Sequence, residues 1–225
     1  MNRQSDIVVR HSLNADDLRL YLVTDRSYLG GRSLADIVLQ AVKGGVTMVQ
    51  LREKNISTKE FIEEASQLKQ LLRGTGVPLI INDRVDVALA VGADGVHIGQ
   101  SDMPYHIARR LLGDSSIIGL SVESLADVEE AGKLDVDYIG ISPVFSTPTK
   151  TDTAQPFGLD GLRKAVAMSA HPTVAIGGIN LTNLADVMNT GVDGVAVVSA
   201  IIAAKDACEA SRQIGEIQHE NRSQP

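Results

Sequence analysis

The chain has 225 residues, 44% of them apolar, and a formal net charge of -7. That length and apolar content suffice for the core of one large α/β domain. The negative balance sets aside nucleic acid and anionic membrane as main partners, since both need a basic surface. Cys208 is the only cysteine, which excludes an intrachain disulfide and a Cys-rich metal site. No run of about 18 apolar residues marks a membrane span, and residues 1–10 lack a signal-peptide core, so a cytoplasmic enzyme is expected.

Short apolar runs alternate with amphipathic segments along the chain. The expected strands are 20–24, 48–51, 79–81, 95–98, 117–120, 138–141, 173–176 and 195–198. The expected helices are 34–43, 58–73, 85–91, 104–112, 125–131, 159–170 and 181–190, with 201–217 closing the cycle. Residues 15–19 add a short helix beneath the first strand. Only 3% of residues are aromatic, so Val, Ile, Leu and Ala must build the core, as suits buried parallel strands. Strand-then-helix alternation predicts parallel strands with crossover helices. Eight units point to a closed (β/α)8 TIM barrel, one domain over 1–225. The first strand runs into Asp25 and Arg26 without the Gly-rich turn of a dinucleotide fold. Gly44 to Val46, Gly92 to Val96 and Gly191 to Val195 each precede a strand, as helix-to-strand turns do. The polar ends, at about 1–13 and 218–225, are expected to be mobile.

In such a barrel the active site lies at the C-terminal ends of the strands. Behind the second strand, a period of two puts Gln50, Arg52 and Lys54 on one face. An Arg and a Lys there suit a multiply charged anion; they also fit a solvated strand end. Asp83 and Asp102 end the third and fourth strands. Two such carboxylates can share a Mg²⁺ that takes further ligands from substrate phosphates, or each can cap the helix that follows. After the sixth strand, Thr147, Pro148, Thr149 and Lys150 fall in the longest irregular loop, where hydroxyls and a charge can wrap a phosphate; such loops are also common for structural reasons. The Thr and Pro content of about 146–157 raises a gating role. Gly178, with Val198 and Ser199, matches the backbone phosphate site of many barrels. Ser121 is a further rim hydroxyl. No His–carboxylate pair is expected beside it, so it is not read as a nucleophile. His97 is the strand histidine, read as a packing residue rather than a base, and Cys208 as helix packing. The absence of an acid–base pair points to chemistry driven by departure of a metal-bound pyrophosphate.

Seven segments carry a family resemblance: YLVTD from Tyr21, QLREK from Gln50, INDR from Ile81, GVHIGQ from Gly95, GISPVF from Gly140, TPTK from Thr147 and AIGGI from Ala175. In this order, across about residues 20–202, they resemble thiamine-phosphate synthases. The resemblance implies that a pyrimidine pyrophosphate and a thiazole phosphate are joined with Mg²⁺ as cofactor. It implies pyrimidine-side contacts at Gln50, Leu51, Arg52, Glu53, Lys54, Asn82, Ser121 and Lys150. It places Mg²⁺ on Asp83 and Asp102, and the thiazole phosphate on Thr147, Pro148, Thr149, Gly178, Val198 and Ser199. Arg52, Lys54, Ser121 and Lys150 would carry catalysis. The partners would be small molecules, with a homo-oligomer left open. Three rivals remain: a thiazole tautomerase, a phosphosugar isomerase or epimerase, and a non-catalytic binder of thiamine precursors.

Overall fold

The computed structural model describes residues 13–146 and 155–222. Eight parallel strands close into a barrel in sequence order, with β8 returning to pair with β1. They are β1 (Leu20–Val23), β2 (Met48–Leu51), β3 (Leu79–Asn82), β4 (Gly95–Ile98), β5 (Ile117–Val122), β6 (Tyr138–Ile141), β7 (Thr173–Ile176) and β8 (Gly194–Val197). All eight expected strands are present, with shifts of one or two residues at four of them.

The helices α1 (Leu34–Lys43), α2 (Thr58–Leu72), α3 (Val85–Val91), α4 (Tyr105–Leu112), α5 (Leu125–Ala131), α6 (Gly158–Met168) and α7 (Leu184–Met188) follow β1 to β7 in turn. Ser57 and Glu60 form a reciprocal cap that starts α2, and Ser124 caps α5 through the Asp127 N–H. The glycines expected before strands do take positive φ at Gly45, Gly92 and Gly191. The expected helix at 181–190 is shortened to α7. Asn180 and Asn183 bind backbone N–H groups of 180–182 through their side chains, so the first turn is given over to local bonds.

The closing segment differs from the expected 201–217. It breaks into α8 (Ser199–Ile202) and α9 (Ala207–Arg222). Residues 218–222 are therefore helical, which corrects the expectation of a mobile tail from 218. Gln218 is fully buried, and its Nε2 donates to the Arg19 carbonyl at 2.6 Å. A polar residue read as solvated is instead tied to the backbone beneath β1. The short 3₁₀ turn Ala15–Leu18 is present and buries Leu18.

Alternation along each strand divides the core in two. Leu20, Leu22, Val49, Leu51, Ile81, Val96, Ile139 and Val195 point outward, into the layer between strands and helices. Tyr21, Met48, Ile80, Ile117, Tyr138, Val174 and Ala196 point inward and fill the barrel. The inward positions turn polar toward the strand ends, at Gln50, Asn82, His97 and Ser121, which line the floor and wall of a cavity. Among the described residues no helix is long and apolar enough to cross a membrane.

Candidate active site

Two adjoining cavities open at the C-terminal ends of the strands. The larger, about 450 Å³, is lined by Gln50, Arg52, Lys54, Asn82, Asp83, Asp102 and Ser121, among others. The smaller, about 290 Å³, is lined by Gly177, Gly178, Val198 and Ser199. Arg52 and Ser142 border both.

Period two on β2 does bring Gln50, Arg52 and Lys54 to one face. Leu51 and Glu53, named with them in the sequence, point elsewhere. Leu51 is buried in the outer core, and Glu53 pairs with Arg26 at 3.3 Å. Arg52 is anchored by its N–H on Thr24 Oγ1 (2.9 Å) and by Asp25 at 3.4 Å. Lys54 Nζ meets Asp83 Oδ2 at 2.5 Å.

Asp83 adopts φ +60, a left-handed conformation that costs a non-glycine residue about 1–2 kcal/mol. It does not cap α3, whose first turn has no side-chain cap. Asp102 does not cap α4 either; its Oδ2 accepts the Gly99 N–H at 2.8 Å. The capping reading thus fails for both, and both carboxylates face the larger cavity. Burial, then the neighbouring Asp83 carboxyl, push Asp102 above the ordinary carboxylate range, against the opposing pull of the Gly99 N–H and of Lys54. Two hard oxygen donors crowded together in this way suit Mg²⁺, whose charge would relieve their repulsion. Among the described residues no group of three or more His, Cys, Asp and Glu side chains could hold a metal. This pair would need water and phosphate oxygens to complete a coordination shell.

The smaller cavity takes its shape from a glycine turn. Gly178 has φ +68, and a Cβ there would stand 2.8 Å from Phe145 Cβ and 3.0 Å from the Ser146 carbonyl. Only glycine fits both constraints. Its carbonyl accepts from Asn183 Nδ2 at 3.0 Å, which pins the loop. Val198 and Ser199 stand at the start of α8 and face Gly178 across the cavity. Thr147, Pro148, Thr149 and Lys150 lie outside the described residues, as does most of the 146–157 loop.

A histidine that the sequence reading gives a packing role stands beside Ser121. His97 Nε2 lies 2.8 Å from Ser121 Oγ. The two sit on adjacent parallel strands, where His97 is in register with Gly119, so a partner 24 positions away in sequence is a close neighbour. His97 Nδ1 meets the Tyr138 hydroxyl at 2.9 Å. Tyr21, Tyr138, Gln100 and Glu123 also line the larger cavity and were not singled out in the sequence. Strand periodicity offered a signal for the tyrosines, since both fall on inward positions of β1 and β6.

A closed parallel barrel with polar side chains gathered at its C-terminal mouth has the architecture of the barrel enzymes, whose active sites lie at the strand ends. The sequence model of one family, described as thiamine monophosphate synthase, matches residues 20–201. The chain is 55% identical to a thiamine-phosphate synthase of Albidiferax ferrireducens over 207 residues, 92% of this chain and 94% of the other. It is 55% identical to the one from Vibrio parahaemolyticus over 196 residues, 87% and 96% of the two chains. The solved structure of a thiamine phosphate pyrophosphorylase from Pyrococcus furiosus superposes with a TM-score of 0.84 at 42% identity, covering 92% of this chain and 98% of that one. The chain belongs to the thiamine monophosphate synthase family, and is a transferase.

Proposed function

We propose that the protein joins 4-amino-2-methyl-5-hydroxymethylpyrimidine pyrophosphate to 4-methyl-5-(2-hydroxyethyl)thiazole phosphate, releasing thiamine phosphate and pyrophosphate. The observation that carries this reading is the pairing of the two cavities at Arg52. One offers cations and an acidic pair, and the other a glycine-built pocket, so two anionic substrates can lie side by side with their reacting atoms near the shared wall.

In this reading Arg52 and Lys54 bind the pyrophosphate, with Lys150 as a further cation. Asp83 and Asp102 would hold Mg²⁺, which when bound supplies neutralisation of the charge that builds on the departing pyrophosphate. Gln50 and Asn82, both buried, orient the pyrimidine. Gly178, Val198 and Ser199 seat the thiazole phosphate with backbone groups, joined by Thr147 to Thr149. The thiazole nitrogen attacks the pyrimidine methylene as its C–O bond breaks. That nitrogen carries no proton, so no general base is required. A tautomerase or sugar epimerase would need one, whereas His97 Nδ1 is held by the Tyr138 hydroxyl.

The test is to mix purified protein with both substrates, with and without Mg²⁺, and to measure both products. Equal, Mg²⁺-dependent release of thiamine phosphate and pyrophosphate is expected. Absence of product from well-folded protein would sink the reading.

A further inference from the structure

Beneath the larger cavity, five side chains from five strands form an unbroken hydrogen-bonded chain. Gln50 Nε2 lies 2.7 Å from the Tyr21 hydroxyl. The Tyr21 hydroxyl lies 2.9 Å from that of Tyr138. Tyr138 meets His97 Nδ1 at 2.9 Å, and His97 Nε2 meets Ser121 Oγ at 2.8 Å. The barrel makes room for it. A Cβ on Gly119 would fall 2.1 Å from the Tyr138 ring, and one on Gly140 would press His97 at 3.1 Å. Both tyrosines are buried, and burial pushes both phenols well above their ordinary range, so each keeps its proton.

The chain can run in either of two directions, set by the His97 tautomer. The Gln50 amide nitrogen can only donate, so Tyr21 must accept from it. In the direction that uses the Tyr21 proton within the chain, Tyr21 donates to Tyr138, and Tyr138 donates to His97 Nδ1. The imidazole proton is left on Nε2, where it donates to Ser121. In that direction the Ser121 hydroxyl hydrogen has no acceptor within the chain and is left for the cavity that Ser121 lines.

We propose that Tyr21, Tyr138 and His97 are positioning residues that hold Ser121 as a hydrogen-bond donor toward the pyrimidine pyrophosphate, with Gln50 setting the polarity from the opposite wall. The two ends of the chain are thereby coupled: Gln50 keeps its carbonyl oxygen for a donor on the substrate, while Ser121 presents a proton to an acceptor. The activity arm of the test rests on the proposed synthase reaction; the spectroscopic arm does not.

The imidazole ¹⁵N signals of His97, assigned with His97→Gln, read the tautomer in ligand-free protein. The Nε2–H form is expected, and Tyr138→Phe should bring in the Nδ1–H form. In turnover, Tyr138→Phe should lower kcat/KM for the pyrimidine substrate about tenfold, leaving KM for the thiazole phosphate unchanged. Ser121→Ala should cost a similar factor, and the double variant no more than Ser121→Ala alone. Should Tyr138→Phe fail to fold, Tyr21→Phe removes the link to Gln50 and should mix the tautomers likewise. An Nδ1–H tautomer in the parent protein, a tautomer indifferent to both tyrosine variants, or additive losses in the double variant would overturn the proposal. Absence of any product would overturn the synthase reading alone, with the ¹⁵N result still deciding the chain.

Discussion

The two cavities at the barrel mouth are built from different materials. The larger is lined by side chains at or just beyond the ends of β2 to β5: Arg52, Lys54, Asp83, Asp102 and Ser121. The smaller takes its shape from backbone conformation, at Gly177, Gly178 and the turn into α8. A side-chain site depends on which groups are present and on their charge. A backbone site depends on a conformation, and so on what is missing from the residue that adopts it. Substitutions should therefore harm the two in different ways.

The largest effect is expected in the side-chain cavity. Asp102→Ala removes one of two crowded carboxylates and should lower kcat roughly a hundredfold or more, with weaker dependence on Mg²⁺. Steady-state rates across a Mg²⁺ titration measure this, and a variant with unchanged rate and Mg²⁺ dependence would refute the metal assignment. The backbone cavity should respond to an added methyl group. Gly178→Ala forces a Cβ against Phe145 at φ +68, and should raise KM for the thiazole phosphate about tenfold, equivalent to about 1.4 kcal/mol. If KM for the pyrimidine substrate rises instead, the division between the cavities is misdrawn.

The smallest effect should lie outside both. Arg26 bridges Glu53 and Glu64 behind the loop that follows β2. Burial and the nearby Glu53 carboxylate push Glu64 up to about 7, outweighing Arg26, which is shared between two acids. Folded Glu64 holds a proton that the unfolded chain has already released above its ordinary value of 4.5. Stability from this group is therefore full below that value and is lost as pH rises through about 7. Melting temperatures should show Glu64→Gln losing less stability than the parent across that window, with turnover little changed. Equal slopes would remove the Glu64 assignment.

The same contrast governs what was legible in the sequence. Gln50, Arg52 and Lys54 could be placed together because a strand has a period of two, and Asp83 and Asp102 because they follow strands directly. Gly178 was legible because a doubled glycine at the seventh strand end has few other uses. The contact of Tyr21 with Tyr138 was not, since the two residues are 117 positions apart and meet only because the barrel closes. His97 beside Ser121 was missed for a related reason. The register of β4 on β5 is a property of the sheet, and a search for neighbours along the chain does not reach it. The shortened α7 and the buried Gln218 show where polarity misleads. Asn180 and Asn183 spend their side chains on local backbone, and Gln218 on a distant carbonyl.

That last bond has a topological consequence. The ring is closed by strand pairing between β8 and β1, and closed again where Gln218 of α9 holds the Arg19 carbonyl. This seam lies at the entry to β1, at the opposite end of the strands from the two cavities. A circularly permuted chain that keeps both closures and is reopened in the exposed turn at Gly74 to Gly76 should present the same mouth. The order in which the polypeptide is threaded and the surface on which it reacts are, in this barrel, separable properties.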